Sequence, residues 1–284
     1  MLDPVRSLRA TVTGAGPRTL VLGNGFCTTR HSWDAVAAAL PDGWRVVRYE
    51  YAGATASAAA WDPARHATLH GHADDVAALL AALDVRDAVF VGHSMSGMVG
   101  LLAHLAAPAR IARVVLIGSS PRYIDDPATG YVGGLAADEV EASLARADAD
   151  LSAWMAGFAP VMLGADAAPH LVREYAGQIL HMRPDVARTM LRAIFRSDFR
   201  AIVPRVDCPV HVLQPADDAA APPAVGAWLV RALPRGVLHP LPFRGHLPHL
   251  THPERVAAIL RAILAQASAG IDDRAPAPGA AAGG

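Results

Sequence analysis

AVFVGHSMSGMVG, residues Ala88 to Gly100, decides the fold. Apolar β-formers run up to Gly92, and a small-residue helix is predicted to begin just after the serine, at Met95. Between them Gly92-His93-Ser94-Met95-Ser96 leaves the chain almost no room to turn. A strand, a tight turn centred on serine and then a helix make a nucleophile elbow, which holds the serine in a strained conformation and aims its hydroxyl above a sheet. The positions two before and two after must be small, because the turn presses them onto neighbouring backbone. Here they are Gly92 and Ser96, so the pattern is G-x-S-x-S rather than G-x-S-x-G. That departure makes the bare motif less specific and leaves a second reading open, in which Ser94 only caps the helix.

A nucleophilic serine needs a base to take its proton and a third group to orient that base. On this kind of elbow the partners follow in the order Ser, acid, His. After the predicted strand Pro209–Gln214 comes PADD, which offers Asp218 as the acid with Asp217 as the alternative. After the strand ending near Leu241 comes FRGHLPHLTHPE, which offers His246 in a glycine-flanked loop. The tetrahedral intermediate requires donors aimed at its oxyanion. The backbone N–H groups of Met95 and of Phe26, in the loop GNGFCTTRHSW, are the candidates. Cys27 beside them reads as a small pocket-lining residue, and His93 as part of the pocket wall.

Outward from the elbow, short apolar runs alternate with helical patterns, the sign of a mostly parallel sheet with crossover helices. Strands are predicted at Leu20–Leu22, Arg45–Tyr49, Ala88–Val91, Val114–Ile117, Val210–Leu213 and Val237–Leu241. Helices are predicted at Trp33–Leu40 with Ser32 as N-cap, and at Leu69–Leu83, Met95–Ala106, Ala224–Leu233 and Pro253–Ala265. From Gly118 to Cys208 only helical stripes occur: Val140 with Leu144; Leu171, Val172, Tyr175 and Ile179; Val186, Met190 and Ile194 with Leu191 and Phe195. Such an insert reads as a cap over the sheet's C-terminal edge, where open α/β sheets bind ligands. The organisation expected is a core over 1–119, a helical cap over 120–205, the rest of the core over 206–268 and a disordered tail over 269–284.

Composition narrows the function classes. The 284 residues are 52% hydrophobic and 18% charged, with a net charge of -1 and no long run of either sign. This argues against a nucleic-acid partner or an electrostatic membrane anchor. No apolar run approaches the ~20 residues of a membrane helix, and the N-terminus lacks a signal-peptide pattern. Two distant cysteines, Cys27 and Cys208, fit a reducing compartment, so a cytoplasmic location is expected. No metal or cofactor is expected. His246, His249 and His252 are interrupted by Pro248 and Pro253, and His66, His70 and His72 read as surface histidines at a helix start.

Several strings together, GFCTTRHSW, GHSMSG, GSSPRYIDD, WMAGFAPVMLGAD, MRPDVARTMLRAIFRSDFR and RGHLPHLTHPE, resemble the RsbQ-type bacterial hydrolases and the related plant karrikin and strigolactone receptors. The resemblance runs from about Gly23 to Glu254. It implies an α/β-hydrolase core under a V-shaped cap of four helices, a triad of Ser94, Asp218 and His246, and a pocket walled by Phe26, His93, Tyr123, Trp154, Phe158 and Phe195. The implied activity is hydrolysis of a small hydrophobic ester, lactone or enol-ether. The alternative is ligand sensing, with a PAS-linked PP2C-type phosphatase at the cap surface. Carbon–carbon hydrolysis and cofactor-free haloperoxidation are weaker alternatives on the same scaffold. Cys27, Ala219 and Ala220 depart from the relatives' pattern, so the ligand's identity does not transfer.

Overall fold

The computed structural model describes residues 3–180 and 182–268. The segment expected to be a disordered tail, 269–284, lies outside the described residues. Among the described residues, seven strands form one sheet: β1 (Thr11–Thr13), β2 (Arg18–Gly23), β3 (Trp44–Arg48), β4 (Ala88–His93), β5 (Ile111–Ile117), β6 (Val210–Asp217) and β7 (Gly236–Arg244). Their order is β1-β3-β2-β4-β5-β6-β7, with β1 antiparallel to β3 and every other pair parallel. This is the mostly parallel sheet that the alternation predicts.

The central strands are apolar on both faces because helices cover both. Leu20, Leu22, Val89, Val91, Val115 and Ile117 pack on one side against Val256, Leu260 and Ile263 of the C-terminal helix Pro253–Ser268. Val21, Phe90, Val114 and Leu116 point the other way, into a larger core with the helices Leu69–Ala82 and Met95–Ala106. Burying each such side chain contributes about 1.5–3 kcal/mol. Phe90 needs the space left by Gly100, where a Cβ would lie 2.4 Å from its ring.

Between β5 and β6 the described residues form four α-helices, Ala137–Ala149, Leu151–Leu163, Pro169–Leu180 and Pro184–Phe195, and a 3-10 turn, Val203–Arg205. The periodic stripes mark three of the α-helices, although the side chain of Ile179 lies outside the described residues. Leu151–Leu163 carries apolar residues all round, from Trp154 and Met155 to Val161 and Met162, and so has no stripe to read.

Three local expectations need correction. Strand β1 was not predicted: it is three residues long, lies on the sheet edge and has no apolar run. Ser32 is not an N-cap. A 3-10 turn over Arg30–Trp33 starts earlier, with Thr29 Oγ1 accepting from His31 N at 3.3 Å, and the α-helix covers only Asp34–Ala38. His66 and His72 are fully buried rather than at the surface, while His70 remains exposed. Trp61 stacks on His66 and Tyr51 packs its ring edge against His72, which removes both imidazoles from solvent.

Candidate active site

Ser94 sits between β4 and the helix Met95–Ala106 with φ +55° and ψ -123°, a conformation that costs a non-glycine residue of order 1–3 kcal/mol. The turn is tight enough that a Cβ at Gly92 would lie 2.5 Å from the backbone of Ser96. No hydrogen bond from the Ser94 side chain caps the helix. Its Oγ instead lies 2.8 Å from His246 Nε2.

His246 follows β7, and its Nδ1 lies 2.9 Å from each carboxylate oxygen of Asp218, which follows β6. Asp218 Oδ1 also accepts the backbone N–H groups of Ala220 at 2.8 Å and Ala221 at 3.0 Å, so the turn after β6 fixes the carboxylate. The neighbouring Asp217 is exposed and pairs with Arg244 at 2.9 Å. The chain thus brings Ser94, His246 and Asp218 into one buried hydrogen-bonded row and leaves Asp217 outside it.

The row is supported by residues that sequence reasoning missed. Gly118, at the end of β5 with φ +55°, faces the acid–base pair. A Cβ there would lie 2.9 Å from Asp218 Oδ2 and 3.2 Å from His246 Nδ1. Gly245 has φ +93° and rests on the carbonyl of Leu163, while His246 N–H donates to Met162 O at 2.6 Å. The end of a cap helix therefore holds the histidine loop. The signal for Gly118 is weak in one sequence, since it is only a glycine next to a strand end.

On the oxyanion side, Met95 opens its helix, where N–H groups have no intrahelical acceptor. Phe26 lies in the loop after β2, and its carbonyl accepts from Tyr175 Oη at 3.4 Å. Gly25 is required under this loop, because a Cβ would come within 2.3 Å of His93 Nδ1. His93 Nε2–H donates to the carbonyl of His246 at 2.8 Å, and burial holds its pKa well below the usual value, so the ring is neutral. Ser96, the departure from glycine, donates to Asn24 O and bonds the Tyr51 hydroxyl, while Asn24 Nδ2 donates to Tyr49 O at 2.7 Å. The loop after β2 is thereby tied to the elbow helix.

Above the row lies a cavity of about 1140 Å³. All six aromatic and histidine residues expected around it, Phe26, His93, Tyr123, Trp154, Phe158 and Phe195, line it, as do Ala219 and Ala220. Leu135, Val140, Met162, Tyr175, Leu191 and Ile194 were not predicted there and complete the apolar wall. Trp154 and Phe158 stack at 4.7 Å, Phe26 meets Phe158 edge-on at 6.2 Å, and Tyr123 meets Phe195 edge-on at 5.6 Å. The Tyr123 hydroxyl is buried beside Ser94, and burial raises its pKa, so it remains protonated. Cys27 is a correction. It does not line the cavity, because its left-handed backbone at φ +57° turns the thiol towards Met182 Sδ, 3.8 Å away, and burial pushes its pKa up.

The family model for the alpha/beta hydrolase fold matches residues 18–253, which spans the elbow, both partner loops and the cap. The chain belongs to the α/β-hydrolase family. It is 34% identical to the Karrikin insensitive 2 receptor CA of Petunia hybrida over 251 residues, covering 88% of this chain and 92% of the relative. It is also 34% identical to the Strigolactone esterase D14 of Arabidopsis thaliana over 262 residues, covering 92% and 97% respectively. Among solved structures, a hydrolase from Oleispira antarctica superposes with a TM-score of 0.90 at 28% identity, covering 93% of this chain and 96% of that one. Within the α/β-hydrolases this chain is an enzyme of the carboxylic-ester-hydrolase type.

Proposed function

We propose that this α/β-hydrolase cleaves a small hydrophobic ester or lactone, including one that carries an enol-ether group beside its carbonyl-bearing ring, through a covalent acyl-enzyme. The observation that carries the reading is the hydrogen-bonded row Asp218–His246–Ser94 opening onto an aromatic-walled cavity. Ser94 Oγ attacks the carbonyl carbon while His246 Nε2 takes its proton, and the imidazolium that forms is stabilised by Asp218. Negative charge on the carbonyl oxygen falls to the N–H groups of Met95 and Phe26. His246 then returns its proton to the departing alkoxide or enolate. Water, deprotonated by the same histidine, releases the acyl group and restores the serine. The aromatic wall selects an apolar substrate, and the residues 120–205 act as the cap that covers it.

The test is turnover of short-chain acyl nitrophenyl esters by the purified chain. Ser94→Ala is expected to reduce kcat by about 10³-fold or more, and Asp217→Asn to leave it nearly unchanged. Undiminished turnover in Ser94→Ala would overturn the mechanism.

A second reading is favoured by one observation: a relative covering most of this chain bears the name of a receptor. On that reading the same chemistry serves sensing in an RsbQ-type cytoplasmic protein, and a PAS-linked PP2C-type phosphatase docks on the cap. Co-purification of such a phosphatase from the native host would support it. Full activity of the chain with no such partner in the host would favour a stand-alone esterase.

A further inference from the structure

Away from the active-site cavity, three potential metal ligands converge beneath the surface. His66 lies on the 3-10 turn Arg65–Ala67, and His72 and Asp75 sit one turn apart on the helix Leu69–Ala82. One ligand atom from each lies within 4.8 Å of the others, and all three residues are buried. None of them lines the substrate cavity.

The surroundings are those of a prepared ligand set. His66 Nδ1 lies 2.9 Å from the backbone carbonyl of Asp62. Nδ1 also lies 3.0 Å from the Asp62 N–H, and Nε2 faces Asp75 Oδ2 at 3.0 Å, where a metal ion would take the place of the proton these two atoms share. An outer hydrogen bond of this kind fixes the tautomer and ring orientation of metal-binding histidines. Asp75 uses its other oxygen, Oδ1, to accept from Arg65 Nη2 at 2.6 Å, which keeps Oδ2 turned inward. His72 adds an unpartnered, buried imidazole beside this pair. It is fully buried, and neither ring nitrogen has a hydrogen-bond partner. Leaving a buried polar group unsatisfied costs about 1–3 kcal/mol, a cost a bound ion would remove.

We propose that His66, His72 and Asp75 form a binding site for one divalent transition-metal ion of the zinc class. Two imidazole nitrogens and one carboxylate oxygen match the donors such an ion prefers, with a solvent ligand completing four-coordination. Bonds of about 2.0–2.2 Å draw the three donor atoms together by rotation of the His72 ring. The site staples the turn Arg65–Ala67 to its helix. Through the Tyr51 ring against His72 and the Tyr51 hydroxyl on Ser96, it also abuts the scaffold of the elbow. The role is structural, so ester hydrolysis does not depend on the proposal.

The test uses the full chain, stripped with a chelator and desalted, then titrated with Co2+ and with Zn2+. One Co2+ per chain is expected, with the visible bands of a four-coordinate ion, and Zn2+ should raise Tm until one equivalent is bound. His72→Phe keeps a ring in the stack but removes both donors, and Asp75→Asn weakens the third. Both variants should lose about 100-fold or more in Co2+ affinity and the Tm response to Zn2+, while His72→Phe retains its ester hydrolysis. Co2+ binding as tight in His72→Phe as in the wild type would overturn the proposal. So would a wild-type Tm indifferent to Zn2+ while His72→Phe folds and melts higher, which would leave His72 as a packing ring alone.

Discussion

Gly118 shows how much of the site depends on what is absent from a side chain. It ends β5 in the left-handed region, and the space a methyl group would fill is taken by Asp218 Oδ2 and His246 Nδ1. Gly118→Ala should therefore leave a folded chain whose kcat for nitrophenyl esters falls by about 100-fold or more, because a misplaced base loses its alignment with Ser94. Wild-type turnover in a folded Gly118→Ala variant would show that the acid–base pair tolerates displacement. Residues of this kind are hard to read in one sequence. Ser94 and His246 announce themselves through a turn and a glycine-flanked loop, whereas Gly118 carries no group that performs chemistry. The choice between Asp217 and Asp218 was likewise not legible from spacing, since both follow the same strand. Geometry separates them, because the β6 turn points Asp218 at His246 and leaves Asp217 with Arg244.

At the scale of elements, the site is an agreement among strand ends. Loops after β2, β4, β5, β6 and β7 each supply one part, and the cap helix Leu151–Leu163 clasps the last of them through Met162 O. The link between the first two loops runs through Ser96, Asn24 and Tyr51. Ser96→Ala removes that link while keeping the small residue the elbow needs. The expected result is a fall of about 10-fold in kcat with KM little changed, as a net 0.5–1.5 kcal/mol hydrogen bond is lost from the support of the oxyanion loop. A rise in KM with kcat intact would place Ser96 in substrate binding instead. The strand–helix alternation was legible because parallel strands buried on both faces are continuous apolar runs. β1 and Leu151–Leu163 were not, for opposite reasons: one is too short and exposed to carry a pattern, the other too uniformly apolar to show a face.

Across the whole molecule, the buried histidines set the response to acid. His249 stacks on Trp33 and packs at a tilt against His93, and burial, with a smaller contribution from His246, pushes its pKa down to about 3. In the unfolded chain the same group titrates near about 6.5. Above that value neither state binds the proton, and stability is at its full level. As pH falls towards 3 the unfolded state takes up a proton that the folded state refuses. Stability then drops by up to about 1.4 kcal/mol per pH unit for this residue. Urea unfolding at pH 7 and pH 5 should show that loss, and His249→Phe should reduce it. An unchanged slope in the variant would mean that His249 is not held neutral. The cavity between cap and core was legible as a place, but not as a volume, because its walls come from side chains on four separate helices and five loops.

The central claim is that Ser94 carries the acyl group. The most direct measurement is rapid acid quenching during turnover of a short-chain nitrophenyl ester, followed by peptide mass analysis of the chain. The acyl mass is expected on the peptide containing Ser94 and absent from the Ser94→Ala variant. Turnover with an unmodified Ser94, or with the acyl group on Cys27, would contradict the account.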